Sequence, residues 1–149
     1  MDRCKDEAKM SSTAAMSVTD AQALLDENFA EWVRALDLTV TDFCPQFTVL
    51  HMPLAPHLAR VGGIVSGQAL AALADTAMVL AAVAHAGEMR MFATTDLHTQ
   101  FLRPGVGSAI QCRAEVVRAG KALVFTRAEM REESSDKLVA TATATFYAP

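Results

Sequence analysis

Apolar and polar positions divide this chain into a few periodic stretches. After Thr19-Asp20, the residues Leu24, Leu25, Phe29, Trp32, Val33 and Leu36 fall at helical spacing and predict a first helix. From Leu38 to Met52 the pattern turns β-branched and aromatic, with Val40, Phe43, Phe47 and Val49, which predicts a long strand or a bent pair. Pro45 marks an edge or kink there. Pro53, Pro56 and Gly62-Gly63 then predict a loop.

Between Ser66 and about Ala86 almost every position is apolar, so this second helix has no wide solvent face and must be surrounded. Ser66 is suited to cap it and Gly87 to stop it. Its most apolar window, Ala69 to Ala84, is shorter than the about 20 residues a membrane span needs, and it contains Asp75. The expectation is a buried helix and no membrane association. Four strand-like runs follow: Met91–Arg103, Ser108–Arg118, Leu123–Glu132 and Lys137–Tyr147. Short separators, Pro104-Gly105, Ala119-Gly120 and Glu133–Asp136, predict an antiparallel meander. The last run sets Val139, Thr141, Thr143 and Thr145 against Ala140, Ala142, Ala144 and Phe146, the two faces of one pleat.

One antiparallel sheet around one very apolar helix satisfies both elements, so the fold class is α+β with an extra N-terminal helix. A sheet of this kind leaves an open edge, and pairing with a second copy would cover it. The chain has 149 residues, enough for one domain, which is expected over 19–149 behind a flexible tail over 1–18. A net charge of −4, from 13 basic and 17 acidic residues, argues against a nucleic-acid binder. Cys4, Cys44 and Cys112 are odd in number and far apart, which predicts neither a disulfide framework nor a zinc site. The tail lacks the apolar core of a signal peptide, so the expected location is cytoplasmic. His51, His57, His85 and His98 lack metal-ligand spacing, and no metal or cofactor is expected.

Asp75 is the ionisable side chain that interrupts this apolar helix. A carboxylate there is costly unless paired, protonated or used, so it is either a structurally hydrogen-bonded group or a reactive one. Gly67 lies at the helix start, where backbone N–H groups lack intrahelical partners and favour developing negative charge. Eight positions separate Gly67 from Asp75, about 12 Å along a helix, beyond any direct cooperation within one chain. Two antiparallel copies of the helix would bring Asp75 of one near Gly67 of the other. If these residues form a site, two chains share it.

The run from Gly62 to Met78, with Ser66-Gly67-Gln68 and Asp75-Thr76-Ala77 inside it, resembles the central motif of hotdog-fold acyl-CoA thioesterases, specifically the phenylacetic-acid-degradation (PaaI-like) branch. Ala93 to Pro104, ending Phe101-Leu102-Arg103-Pro104, resembles that family's second strand. Val117 to Lys121 resembles its CoA-facing basic turn. The resemblance implies a homodimer, assembled further as a dimer of dimers, that hydrolyses an acyl-CoA thioester without a cofactor. It implies Asp75 as general base or nucleophile, the Gly67 N–H as oxyanion donor and Thr94 as a hydroxyl holding the water. Substrate contacts would come from Ser66, Gln68, Arg103, Arg118, Gly120 and Lys121, with the basic side chains meeting the CoA phosphates. The family commonly has His-Gly-Gly where this chain has Ser66-Gly67-Gln68, and an Asn near the position of Arg60. Two other functions remain open: an acyl-thioester hydratase or dehydratase of the same fold, and a non-catalytic acyl-CoA-binding protein.

Overall fold

The computed structural model describes residue 4 and residues 15–149. Helix α1 runs Val18–Asn28, one residue ahead of the expected Thr19-Asp20 start, because Ser17 and Asp20 cap each other reciprocally. The tail expected over 1–18 therefore overlaps α1 at Val18 and otherwise lies largely outside the described residues. The apolar periodicity beyond Asn28 does not continue one helix: Phe29 and Ala30 are extended, and a short α2 covers Glu31–Arg34.

Strands β1 (Thr39–Cys44) and β2 (Phe47–Pro53) form an antiparallel pair that turns at Pro45, the bent-pair form of the expectation. A 3-10 turn at Pro56–Leu58 and a two-stranded ribbon, β3 (Ala59–Arg60) with β4 (Ile64–Val65), occupy the predicted loop. Helix α3 spans Gly67–Ala86, capped by Ser66 through the Ala69 N–H. It stops at Gly87, whose φ of 74° is a left-handed conformation that glycine adopts without strain. By length and composition α3 is apolar enough to cross a membrane, with a mean hydropathy of 1.7, yet 67% of that window is buried within the fold. Leu73, Ala74, Ala77, Met78 and Leu80 are all fully buried.

Four strands follow: β5 (Ala93–Phe101), β6 (Ala109–Ala119), β7 (Leu123–Glu132) and β8 (Leu138–Tyr147). The six-stranded sheet has the order β1-β2-β6-β7-β8-β5 and wraps around α3, which is the hotdog architecture expected. The expected four-strand meander needs correction. Only β6-β7-β8 is a meander, and β5 pairs with β8 rather than β6. The Pro104–Ser108 segment is thus a crossover between two strands that do not pair, not a hairpin. Loop length alone could not tell these apart, since Pro104 and Gly105 suit either path.

The cysteine expectation is also corrected. Cys4 and Cys44 form a disulfide with Cα atoms 6.1 Å apart across 40 residues. Cys44 ends the sheet's outermost strand half-buried, so contact rather than spacing decides the pairing, and nothing in the sequence separation signals it. Cys112 remains a buried free thiol, its pKa pushed well up by burial.

Candidate active site

Asp75 lies on the third turn of α3 at a half-buried position, and the Thr94 hydroxyl of β5 donates to its carboxylate at 3.0 Å. The neighbouring hydroxyl of Thr76 is not the partner, because it donates to the Ala72 carbonyl at 2.8 Å. So the carboxylate is held by a side chain from another element, and no salt-bridging cation faces it among the described residues. Burial raises the Asp75 pKa above its ordinary 3.8, and the Thr94 hydrogen bond pulls partly the other way. A carboxylate so placed is basic for its type while still able to reach its charged form.

A bulge decides which way Thr94 points. In the β5–β8 ladder Thr94 pairs with Phe146 and Asp96 with Thr145, leaving Thr95 as the extra residue. Cross-strand partners share a face, and Phe146, Ala144 and Ala140 are buried toward α3. Thr94, Leu97 and Phe101 therefore all face the helix, although strict alternation would put Thr94 and Phe101 on opposite sides. Thr95 instead donates to the Thr145 carbonyl.

The far end of β5 meets the other end of α3. A Cβ on Gly67 would come within 3.1 Å of the Phe101 ring, so the absent side chain is what lets the ring lie over the helix start. The Gly67 N–H has no hydrogen-bond partner among the described residues, as expected of the first helical position. Within one chain, then, Asp75 and Thr94 are together, and Gly67 stands apart with Phe101. The sequence spacing already excluded direct cooperation in one subunit. Phe101 and the Thr95 bulge escaped sequence reading. The odd-spaced Leu97 and Phe101 beside even Thr94 were the available sign of a phase change.

The remaining expected residues divide by end. Ser66 uses its hydroxyl as the helix cap, and Gln68 is exposed beside a shallow groove formed by Trp32 and His57. Arg103 follows Phe101 and donates to the Leu138 carbonyl at 2.9 Å. Arg118, Gly120 and Lys121 belong to the exposed β6–β7 turn, where the Gly120 N–H donates to the Leu123 carbonyl at 2.7 Å. Ala119 pairs with Val124, Val124 with Phe146, and Phe146 with Thr94, so this turn lies on the Asp75 end of the sheet. Three strand spacings make that about 14 Å. The chain thus does not gather its three basic groups at one place: two are on the Asp75 end and Arg103 on the Gly67 end. His57 is tied to the Ala35 carbonyl at 3.1 Å and does not line the space beside Asp75. Among the described residues, no cluster of three His, Cys, Asp or Glu side chains is placed to hold a metal.

Beside Asp75 and Thr94 opens a cleft of about 270 Å³. Val79 and Val83 of α3, Met91 and Phe92 before β5, and Leu24 and Phe29 of the N-terminal region line it. Its character is apolar except at the Asp75 end and at the rim, where Arg90 lies over the Phe92 ring, 5.7 Å from the centroid.

Comparison with known proteins places the fold in a family. The thioesterase superfamily profile matches residues 62–139, a span that holds Gly67, Asp75, Thr94 and the basic turn. A conserved protein of Pseudomonas aeruginosa shares 27% identity, with a TM-score of 0.77 over 83% of this chain and 98% of that one. A thioesterase from Haemophilus influenzae superposes with a TM-score of 0.81 at 20% identity, over 91% and 92%. The Escherichia coli PaaI protein of the phenylacetic acid degradation operon gives 0.77 at 21% identity, over 88% and 91%. At the identities of the last two, the likeness speaks for the fold. No curated protein matches the chain in sequence. With more than half its length matched by the family profile, the chain belongs to the thioesterase superfamily, and at the level of family it is a thioester hydrolase.

Proposed function

We propose that this protein hydrolyses acyl-CoA thioesters to a free acid and CoA, at sites shared by two copies of the chain. The observation that carries the reading is Asp75: a half-buried carboxylate on the core helix, oriented by Thr94 and without a salt-bridging cation among the described residues. A structural carboxylate on a buried helix would be expected to satisfy itself against backbone or a cation, whereas this one opens on an apolar cleft.

The second copy follows from β5. It is an edge strand, exposed along most of its length, with Leu97, Phe101 and Leu102 between 40% and 54% exposed. Antiparallel pairing of two β5 strands about an axis at His98, with Thr95 bulged out of the ladder, would set Thr94 of one copy opposite Phe101 of the other. Asp75 with Thr94 would then face the Gly67 N–H of the second copy. The same pairing would bring Arg118 and Lys121 of one copy to the side of Arg103 of the other, a basic rim suited to CoA phosphates.

Two routes use these groups. With Asp75 as general base, it takes a proton from water as the water oxygen attacks the thioester carbon. The oxyanion accepts from the Gly67 N–H. Collapse breaks the C–S bond, and the proton held by Asp75 passes to the leaving CoA sulfur. With Asp75 as nucleophile, its oxygen displaces CoA to give a mixed anhydride that water then cleaves. Both need Asp75 ionised.

The test is thiol release over an acyl-CoA series, comparing wild type with Asp75→Asn. Asn keeps the volume but removes the charge. A loss of about 10²-fold or more in kcat is expected in a protein with an unchanged circular dichroism spectrum. Full activity in folded Asp75→Asn would overturn the reading.

A further inference from the structure

We propose that the N-terminal region sets the choice of acyl group: Leu24 and Phe29 form the outer wall of an apolar chamber beside Asp75 that takes an uncharged acyl group of roughly ten non-hydrogen atoms. The inference rests on the thioesterase reading for what enters the chamber, but its geometry is independent of turnover.

Asp75 and Thr94 mark one end of the about 270 Å³ cleft, so a carbonyl reacting there would direct its acyl group along the cleft walls. One wall is α3, through Val79 and Val83, and the opposite wall comes from Leu24 and Phe29. Leu24, Phe29, Val79 and Phe92 are half-buried and pack against the core from one side while leaving apolar surface to the cleft. Such a half-covered apolar strip gains from a ligand that removes it from water. The helix break serves this arrangement. Helix α1 ends at Asn28 and Phe29 is extended, at φ −84° and ψ 153°, although the apolar spacing would have let the helix continue. Leu24 and Phe29 precede the span 62–139 matched by the family profile, so this wall lies outside the profile's part of the fold.

Volume limits the occupant. An apolar cavity of about 150 Å³ holds a benzene-sized ligand of six carbons. In proportion, about 270 Å³ holds roughly ten such atoms, a ring with a short arm or an eight- to ten-carbon chain. A sixteen-carbon chain would need on the order of 400 Å³ by the same proportion. Among the described residues the lining supplies no carboxylate besides Asp75, and its cation, Arg90, stacks on Phe92 at the rim.

The test is calorimetric binding of non-hydrolysable S-(2-oxoalkyl)-CoA analogues with tails of four, eight and sixteen carbons to the full chain. Wild type should bind the eight-carbon analogue about tenfold more tightly than either other. Phe29→Ala and Leu24→Ala should each recover about fivefold on the sixteen-carbon analogue. Leu24→Phe, which narrows the chamber, should move the optimum toward four carbons. Shifts of opposite sign cannot come from general destabilisation. No binding of any analogue, or one order of affinities across wild type and all variants, would overturn the chamber. If the analogues follow the predicted pattern but no acyl-CoA is cleaved, the chamber stands and the hydrolase reading falls. If CoA is released but the length preference ignores α1, the reverse holds.

Discussion

Strands β8 and β5 lie side by side in the sheet, yet they are finished differently. Along β8, Val139, Ala140, Ala142, Ala144 and Phe146 are buried by α3 and by neighbours on both edges. Along β5, almost every residue is exposed, and one edge has no strand beside it among the described residues. The two strands share a ladder, so backbone pairing does not explain the contrast. What differs is completion: β8 obtains its cover from its own chain, whereas β5 carries Thr94 at one end, Phe101 at the other and apolar surface between them. On the proposed reading, the chemistry sits where the fold is left unfinished.

That contrast can be broken from either strand. The largest effect should come from β8: Phe146→Ala empties a fully buried site and should cost about 3–5 kcal/mol, read as the shift in a denaturant midpoint. Activity per folded molecule should survive. On β5, Leu97→Lys places a charge beside the proposed pairing axis and should behave the opposite way. The circular dichroism spectrum should hold, while light scattering reports half the mass and thiol release falls by about 10²-fold. A monomeric wild type, or a dimeric and active Leu97→Lys, would separate β5 from assembly.

A smaller effect is expected at the basic turn. Arg118→Ala with Lys121→Ala should raise KM for acyl-CoA several-fold at low salt and leave kcat nearly unchanged. The difference should shrink toward 0.15 M salt, because both side chains are exposed and screened. An unchanged KM at low salt would remove CoA from this turn.

The smallest effect is in pH. Burial raises the Asp75 pKa, so the neutral form is favoured in the folded state. The folded state then holds more protons than the unfolded one between 3.8 and the raised value, and stability falls as pH rises through that window. Asp75→Asn should therefore melt slightly higher than wild type above the window and equally below it. Activity runs the other way, since the base must be ionised. The acid limb of kcat/KM should lie above the ordinary carboxylate range, and Thr94→Val should move it higher by removing the hydrogen bond to the charged form.

Much of the fold was legible because periodicity reports burial. The apolar run from Ser66 to Gly87 announced α3 with both its caps, and the alternation of Val139 to Phe146 gave β8 with its correct faces. Asp75 stood out as a charge in that run. What stayed hidden depends on the third dimension. The Pro104–Ser108 segment is short enough for a hairpin, so only the sheet itself reveals that it crosses over. The Thr95 bulge leaves composition unchanged and shifts phase by one residue, yet it decides that Thr94 reaches Asp75. The Cys4–Cys44 disulfide joins residues whose separation carries no spacing signal.

The central claim is that a working site needs Asp75 from one copy and the Gly67 N–H from another. Subunit mixing tests it most directly. Asp75→Asn removes the carboxylate, and Gly67→Pro removes the donor at the first helical position, where proline is well tolerated and Ser66 already has the extended backbone it prefers. Gly67→Ala, which crowds Phe101 but keeps the N–H, controls for the 3.1 Å approach and should stay active. Each of the first two variants should be inactive alone. After mild unfolding and joint refolding, heterodimers should contain one site with both defects and one with neither, recovering up to half the wild-type activity per heterodimer. If both variants fold and mass spectrometry finds the heterodimer, yet the mixture remains inactive, the shared-site account is wrong.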